Sequence, residues 1–293
     1  MSDVVLGPEA VIGFVGLGNM GFPMAERLAE AGYTVRGYDA DPAVRSKFAG
    51  AVASAEAAAD SAAAVILMLP NSAVVRSVLL DDGLLAHMAP GAVLIDMSSS
   101  EPVQTRELAA TAGEHGVPMV DAPVSGGVRG AVAGSLMIMA GGAPEPVAAV
   151  RGMLEVLGKK VLHVGPVGAG HALKALNNLL SATHLLVSSE AMLVGKEFGL
   201  DQEVMLEAIN GSSGSSASTV NKWPRFMLGR GFDSGFGLRL MLKDMRIAVG
   251  LAQATGWPSR LGEAAVDLWA EAAERLPADA DHTEILRWLE TEH

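Results

Sequence analysis

Apolar and polar positions follow two different rhythms along this chain. In the first half, short β-rich runs alternate with helical stretches. The runs Val11–Val15, Thr34–Tyr38, Ala64–Leu69, Val93–Asp96, Met119–Asp121, Leu136–Met139 and Val161–His163 predict strands, and Met24–Glu30, Val103–Ala112 and Pro146–Leu157 predict helices between them. Strands alternating with helices imply a mostly parallel sheet with crossover helices. The second half changes character. No proline interrupts a long, largely apolar helical pattern from Gly170 to Phe198, and further helices are expected near Asp201–Ile209, Leu238–Ala254, Ser259–Ala273 and His282–Glu290. Strand signals nearly vanish there. The Ala-rich stretch Ala53–Ala64 has helix-forming composition, and Gly211–Ser218 is a small, polar interruption between helices.

The 293 residues suffice for one large domain or two ordinary ones, and half of them are hydrophobic, enough for a sizeable core. The formal net charge of −12, without a basic cluster, argues against nucleic acid or an anionic membrane as partner. The absence of cysteine excludes disulfides and thiolate catalysis. The start Met1–Leu6 lacks a basic segment and a long apolar core, and the longest apolar run, Ala62–Leu69, falls far short of the ~20 residues of a membrane helix. A cytoplasmic location is the expectation.

Gly16, Gly18 and Gly21 make a G-x-G-x-x-G directly after the first predicted strand and directly before a helical pattern. A strand ending in such a turn aims backbone N–H groups and the positive end of a helix dipole at one point, where a pyrophosphate binds. The first glycine permits the tight turn, the second the approach of the pyrophosphate, the third close packing of helix on strand. Pro23 suits the first helical turn. The expected architecture is therefore α/β: a Rossmann-type doubly wound sheet over residues 1–165, followed by an all-α domain over 166–293 and joined to it by the long helix from about Gly170. Asp39 ends the second strand, 18 residues after Gly21, where a carboxylate can accept hydrogen bonds from both adenosine ribose hydroxyls. With Asp41 close by and no adjacent arginine, NAD is favoured over NADP; Arg36 lies three residues back and reads as a solvated side chain. Taken alone, Asp39 reads better as a turn residue capping the next helix; the glycine motif before it favours ribose binding.

Four blocks, taken together, make the chain resemble the β-hydroxyacid dehydrogenase family, whose best-known member is 3-hydroxyisobutyrate dehydrogenase. They are Gly16-Leu17-Gly18-Asn19-Met20-Gly21, Asp121-Ala-Pro-Val-Ser125-Gly126-Gly127, Gly168-Ala-Gly-His-Ala-Leu-Lys174-Ala-Leu-Asn-Asn178, and Lys243-Asp244. By itself Ser125-Gly126-Gly127 reads as an ordinary strand-to-helix turn; the resemblance implies that it binds the substrate carboxylate. Lys174 and Asn178 share one face of an otherwise apolar helix, four residues apart. Desolvation there would lower a lysine's pKa toward working range, so that Lys174 could give or take a proton during hydride transfer while Asn178 holds the substrate. His171, one turn earlier, is a competing acid/base and otherwise a neighbour that tunes the site. Leu69-Pro70-Asn71 ends one strand, Ser99 follows another, and both are expected to line the cofactor, as is Lys243, which matches a family lysine near the nicotinamide and otherwise reads as a surface lysine. Phe236 either covers the pocket or packs the helical domain. No His/Asp/Glu set has metal-ligand spacing.

The resemblance implies hydride transfer between a short, 3-hydroxyisobutyrate-like β-hydroxy acid and its semialdehyde, in a homodimer or homotetramer. An imine reductase of the same architecture ranks below it, because those usually carry another residue in place of the lysine. A non-catalytic NAD-binding protein is the third reading. The Gly211–Arg230 segment is expected to supply pocket residues. Neither it nor Ala175-Leu176 reads as the standard 3-hydroxyisobutyrate enzyme.

Overall fold

The computed structural model describes residues 5–291; residues 1–4, part of the start examined for a signal segment, lie outside the described residues. The chain divides into two compact units, residues 1–174 and 175–293. The first contains an eight-stranded sheet: β1 (Val11–Val15), β2 (Thr34–Tyr38), β3 (Ala64–Leu67), β4 (Val93–Asp96), β5 (Met119–Asp121), β6 (Val124–Ser125), β7 (Met137–Gly141) and β8 (Lys160–Gly165). Their order is β2-β1-β3-β4-β5-β7-β6, with β8 on β7. The first five strands are parallel, β7 runs antiparallel to β5, and β8 is parallel to β7. This is the doubly wound sheet expected of the first half.

Strand alternation explains why both faces are covered. Ile12, Phe14, Ala64, Ile66, Val93 and Ile95 enter one core, with Met24, Leu28, Val150 and Leu154 from covering helices. Val15, Val65, Leu67 and Leu94 enter the other, with Ala58, Val75, Leu79 and Leu108. Since successive side chains point to opposite faces, a continuous apolar run fits only a strand buried on both sides. Each large side chain buried this way contributes about 1.5–3 kcal/mol.

Several boundaries differ from the pattern for identifiable reasons. The first helix is Gly21–Glu30 and begins three residues early, since Phe22 already donates to the Gly18 carbonyl. β3 ends at Leu67, because the Leu69 amide turns out of the ladder onto the Ser98 hydroxyl. The two-residue β6 and the helix Gly127–Ala133 were not marked by any periodic run.

The second unit is helical, with Gln202–Asn210, Leu238–Thr255, Arg260–Arg275 and Ile285–Thr291 besides most of the long helix Ala169–Glu197. Its core gathers Trp223, Trp269, Met245, Leu238 and Ile285. The last expected helix opens instead with a 3₁₀ turn, His282–Glu284, fixed by a capping box between Asp281 and Glu284. The Gly211–Arg230 segment contains a π-helix, Ser218–Met227, with Pro224 inside it. Among the described residues no helix is long and apolar enough to cross a membrane.

Candidate active site

The glycine turn sits at the carboxyl end of β1, where the strand order reverses between β2 and β3, the place at which open α/β sheets bind ligands. Gly16 has φ +98°, and a Cβ there would lie 2.3 Å from the Met68 carbonyl oxygen. A Cβ on Gly21 would lie 1.9 Å from the Gly16 carbonyl oxygen, so the third glycine is what lets the helix start this close to the strand. A Cβ on Gly18 would meet nothing within 4 Å. Gly18 and Asn19 are exposed and Met20 is half-buried. The cradle thus has an open middle and closed ends, which fits a pyrophosphate.

Leu17 takes a different part from its neighbours. Its side chain is buried in the core, and its amide donates to Asp39 Oδ2 at 2.7 Å. Asp39 Oδ1 accepts the Asp41 amide at 2.9 Å. A carboxylate offers about four acceptor positions, so room remains for two ribose hydroxyls. Asp41, not Asp39, caps the short helix Pro42–Arg45. That helix brings Arg45 back onto the site: its Nη1 donates to the Asp39 carbonyl at 2.7 Å and its guanidinium lies 5.3 Å from the Tyr38 ring centre. The expectation of no adjacent arginine is therefore corrected, because a one-turn helix folds the chain back within six residues. Arg36 is half-buried, not fully solvated, and pairs with Asp60 at 3.6 Å.

The neighbouring loops are locked by buried serines. Ser98 Oγ accepts the Leu69 amide, Ser72 Oγ accepts the Glu101 amide, and Asp96 accepts the Ser98 amide and the Ser100 hydroxyl. Ser98 and Ser100 are buried, which leaves Ser99 as the half-buried member of the three. The Asn71 side chain accepts the Val74 amide at 3.0 Å and caps the helix Ser72–Arg76, with Pro70 just before it.

Asp121 sets the start of the long helix. Its carboxylate, fully buried, accepts the amides of Gly168 at 2.7 Å and His171 at 2.8 Å. These are helix-start donors with no intrahelical partner. Gly170 permits the contact, since a Cβ there would sit 2.2 Å from the Met139 carbonyl oxygen. The His171 ring is sealed beside it: Nδ1 lies 2.8 Å from Thr105 Oγ1, and Nε2 lies 3.8 Å from Asp96 Oδ2. The imidazole therefore braces the helix start and is not placed as a competing acid/base.

Lys174 follows one turn later and is only 8 % exposed. Asn178 is buried, donates from Nδ2 to Asp244 Oδ2 at 2.6 Å, and accepts from Asn177 at 3.2 Å. Lys243 Nζ lies 3.4 Å from Asp244 Oδ1. Asp244 was read from the sequence only as part of a motif; it orients the Asn178 amide and leaves its second N–H unused by these partners. Ser125 is half-buried at the end of β6, and Gly126 and Gly127 have φ of +136° and +62°. Nothing lies within 4 Å of a Cβ on Gly127.

A second polar cluster occupies the helical unit. Asp281 accepts from Ser234, the Gly235 and Phe236 amides, and Thr283. Burial opposes its charge, but hydrogen bonds from His282, Thr283 and Ser234 outweigh it and hold the carboxyl well below the usual range. Burial pushes the His282 imidazole down. Burial also pushes Lys222 down to about 8, against the attraction of Asp281. Such a group makes folding stability rise between pH about 8 and 10.5, since only the unfolded chain then keeps the proton. Phe236 packs on the helical core and against the His282 ring at 5.7 Å.

Two family models match, the NAD binding domain of 6-phosphogluconate dehydrogenase over residues 11–165 and the NAD-binding domain of NADP-dependent 3-hydroxyisobutyrate dehydrogenase over 168–289. Relatives from Pseudomonas aeruginosa include an NAD-dependent L-serine dehydrogenase and a 3-hydroxyisobutyrate dehydrogenase, each 39% identical over 92% of this chain and 94% of the relative. A solved Mycobacterium tuberculosis 3-hydroxyisobutyrate dehydrogenase with L-serine is 35% identical, with a TM-score of 0.90 over 96% of this chain and 99% of that one. Cradle and matches together define an NAD-binding oxidoreductase. Within that class, the chain belongs to the β-hydroxyacid dehydrogenase family.

Proposed function

We propose that the protein oxidises a short β-hydroxy acid, 3-hydroxyisobutyrate or a close analogue, to its semialdehyde with NAD, and that Lys174 is its acid/base. The observation that carries this reading is the placement of Lys174: a buried lysine on a helix whose start is clamped by Asp121, one turn before the oriented Asn178.

Gly16, Leu17, Gly18, Asn19, Met20 and Gly21 would hold the pyrophosphate, Asp39 the adenosine ribose, and Leu69, Pro70, Asn71, Ser99 and Lys243 the remainder of the cofactor. Bound NAD would supply the hydride acceptor. The Ser125 hydroxyl and the amides of Gly126 and Gly127 bind the substrate carboxylate. The free N–H of Asn178 fixes the substrate oxygen. Neutral Lys174 takes the hydroxyl proton as the carbinol carbon gives up its hydride; in the reverse direction the ammonium returns that proton to the carbonyl oxygen. The test is NADH absorbance with 3-hydroxyisobutyrate, 3-hydroxypropionate, glycerate and 4-hydroxybutyrate, each with NAD and NADP. Turnover of at least one acid is expected, faster with NAD. No absorbance change while NAD binds would contradict the reading.

Asp39 carries the cofactor preference. Asp39→Ser removes the ribose acceptor and the repulsion toward a 2′-phosphate, while Arg45 stays beside the site. Hydrogen bonds to charged groups are worth about 1.5–3 kcal/mol. The NAD/NADP ratio of kcat/KM is expected to fall at least tenfold, and an unchanged ratio would remove Asp39 from this role.

The same reading makes the enzyme a cytoplasmic homo-oligomer. Leu173, Leu180, Val187 and Val194 recur every seventh residue along the long helix and are 40, 59, 54 and 71 % exposed. An apolar stripe at heptad spacing suits a helix of a second copy. Val187→Lys is expected to lower the mass measured by light scattering. An unchanged mass would place the interface elsewhere.

A further inference from the structure

One half-buried cation has no part in the chemistry of the site above. Lys222, on the Ser218–Met227 segment, donates from Nζ to Ser181 Oγ at 2.8 Å. An ammonium has three N–H groups. Among the described residues Lys222 has no carboxylate within ion-pair distance, and the oxygens of nearby Asp281 are taken by Ser234, Gly235, Phe236 and Thr283. Partial burial disfavours its charge, so a carboxylate that reached Nζ would gain by completing its hydrogen bonds.

The position of Ser181 indicates where that anion would come from. At about 100° per residue, Asn178 lies ~40° from Lys174 around the long helix and Ser181 ~20° to the other side. The three therefore line one face. Ser181 stands about 10 Å beyond Lys174 along the axis, and about 4.5 Å beyond Asn178. Lys222 thus caps the same polar face, one turn past the amide assigned to the substrate.

We propose that Lys222 and Ser181 form a subsite for a second carboxylate at the far end of the hydroxy acid, so that the preferred substrate is a β-hydroxy diacid. This rests on the hydroxy-acid reading above. It accounts for retaining a cation whose partial burial disfavours its charge: the diacid adds a carboxylate at bonding distance, whereas Asp281 acts on the ammonium only from beyond ion-pair distance.

The test compares 2-(hydroxymethyl)glutarate with 3-hydroxyisobutyrate, which differ only in the group on C2, with NAD as acceptor. The ratio of their kcat/KM values is read for wild type, Lys222→Met and Lys222→Gln, with folding checked by thermal melting and NAD affinity by titration. In the wild type the diacid is expected to be favoured, and the ratio to fall tenfold or more in both variants, through KM for the diacid. Methionine keeps the shape without the charge, so Lys222→Met is expected to melt no lower than wild type below pH 8. A wild type that favours the monoacid, or a smaller fall in ratio in a folded variant, would overturn the subsite while leaving the dehydrogenase reading intact. Turnover of neither acid by wild type would overturn the subsite, and the dehydrogenase reading with it if the other acids of the panel above are not turned over either.

Discussion

Lys174→Ala is expected to lower kcat by about 10²- to 10⁴-fold, the range that a positioned acid/base contributes, and to leave NAD affinity within about threefold. The two readouts separate because they depend on different parts of the first unit. The cofactor cradle is built from the β1 turn and the Asp39 carboxylate, with no atom of the long helix among its hydrogen bonds. The helix start is held by Asp121, with His171 braced on Thr105, and truncating Lys174 removes none of those bonds. Alanine is also a strong helix former. Lys174→Arg tests the chemistry more narrowly, since a guanidinium keeps the charge but cannot give up its proton in a protein. It is expected to restore less than a tenth of the lost kcat. Turnover near the wild-type rate in Lys174→Ala would place the acid/base elsewhere.

Gly21→Ala is expected to weaken NAD binding at least about 100-fold, equivalent to ~2.7 kcal/mol, and to lower Tm. The new Cβ would fall 1.9 Å from the Gly16 carbonyl oxygen, which is backbone and cannot rotate aside. The helix must move outward, and the N–H groups at its start move with it. Gly18→Ala provides the contrast. Its Cβ meets no protein atom within 4 Å, so Tm is expected to stay within about 1 °C of wild type, as is usual for a surface substitution. It projects into the space assigned to the pyrophosphate, and NAD affinity should fall all the same. Calorimetric titration and melting curves of both variants decide this. Equal Tm losses in the two would show that the glycines serve packing alone.

Much of this was legible because it is local. Short β-rich runs between helical stretches marked the core strands, and Gly16, Gly18 and Gly21 carried their roles in their spacing. Lys174 and Asn178 declared a shared face through their four-residue separation. What escaped the sequence is nonlocal. Asp121 meets the Gly168 and His171 amides across 47 and 50 residues, and Asp244 meets Asn178 across 66. Lys222 reaches Ser181 across 41. No periodicity encodes such a pairing, although Asp121 and Asp244 each stand inside a block already singled out. Arg45 was missed for the opposite reason: a one-turn helix is too short to announce itself, yet it reverses the chain beside Asp39. His171 drew attention as a chemical group, but burial among Asp96, Thr105 and Asp121 gives it to the scaffold.

The central claim is direct transfer of hydride from the carbinol carbon of a hydroxy acid. 3-Hydroxyisobutyrate carrying two deuterium atoms on its carbinol carbon, incubated with the enzyme and NAD, tests it in one step. Mass analysis of the nicotinamide product is expected to show one deuterium per reduced cofactor, with a slower rate than for the unlabelled acid. Reduced cofactor without deuterium, or no reduction of bound NAD by this or any other hydroxy acid, would contradict the account.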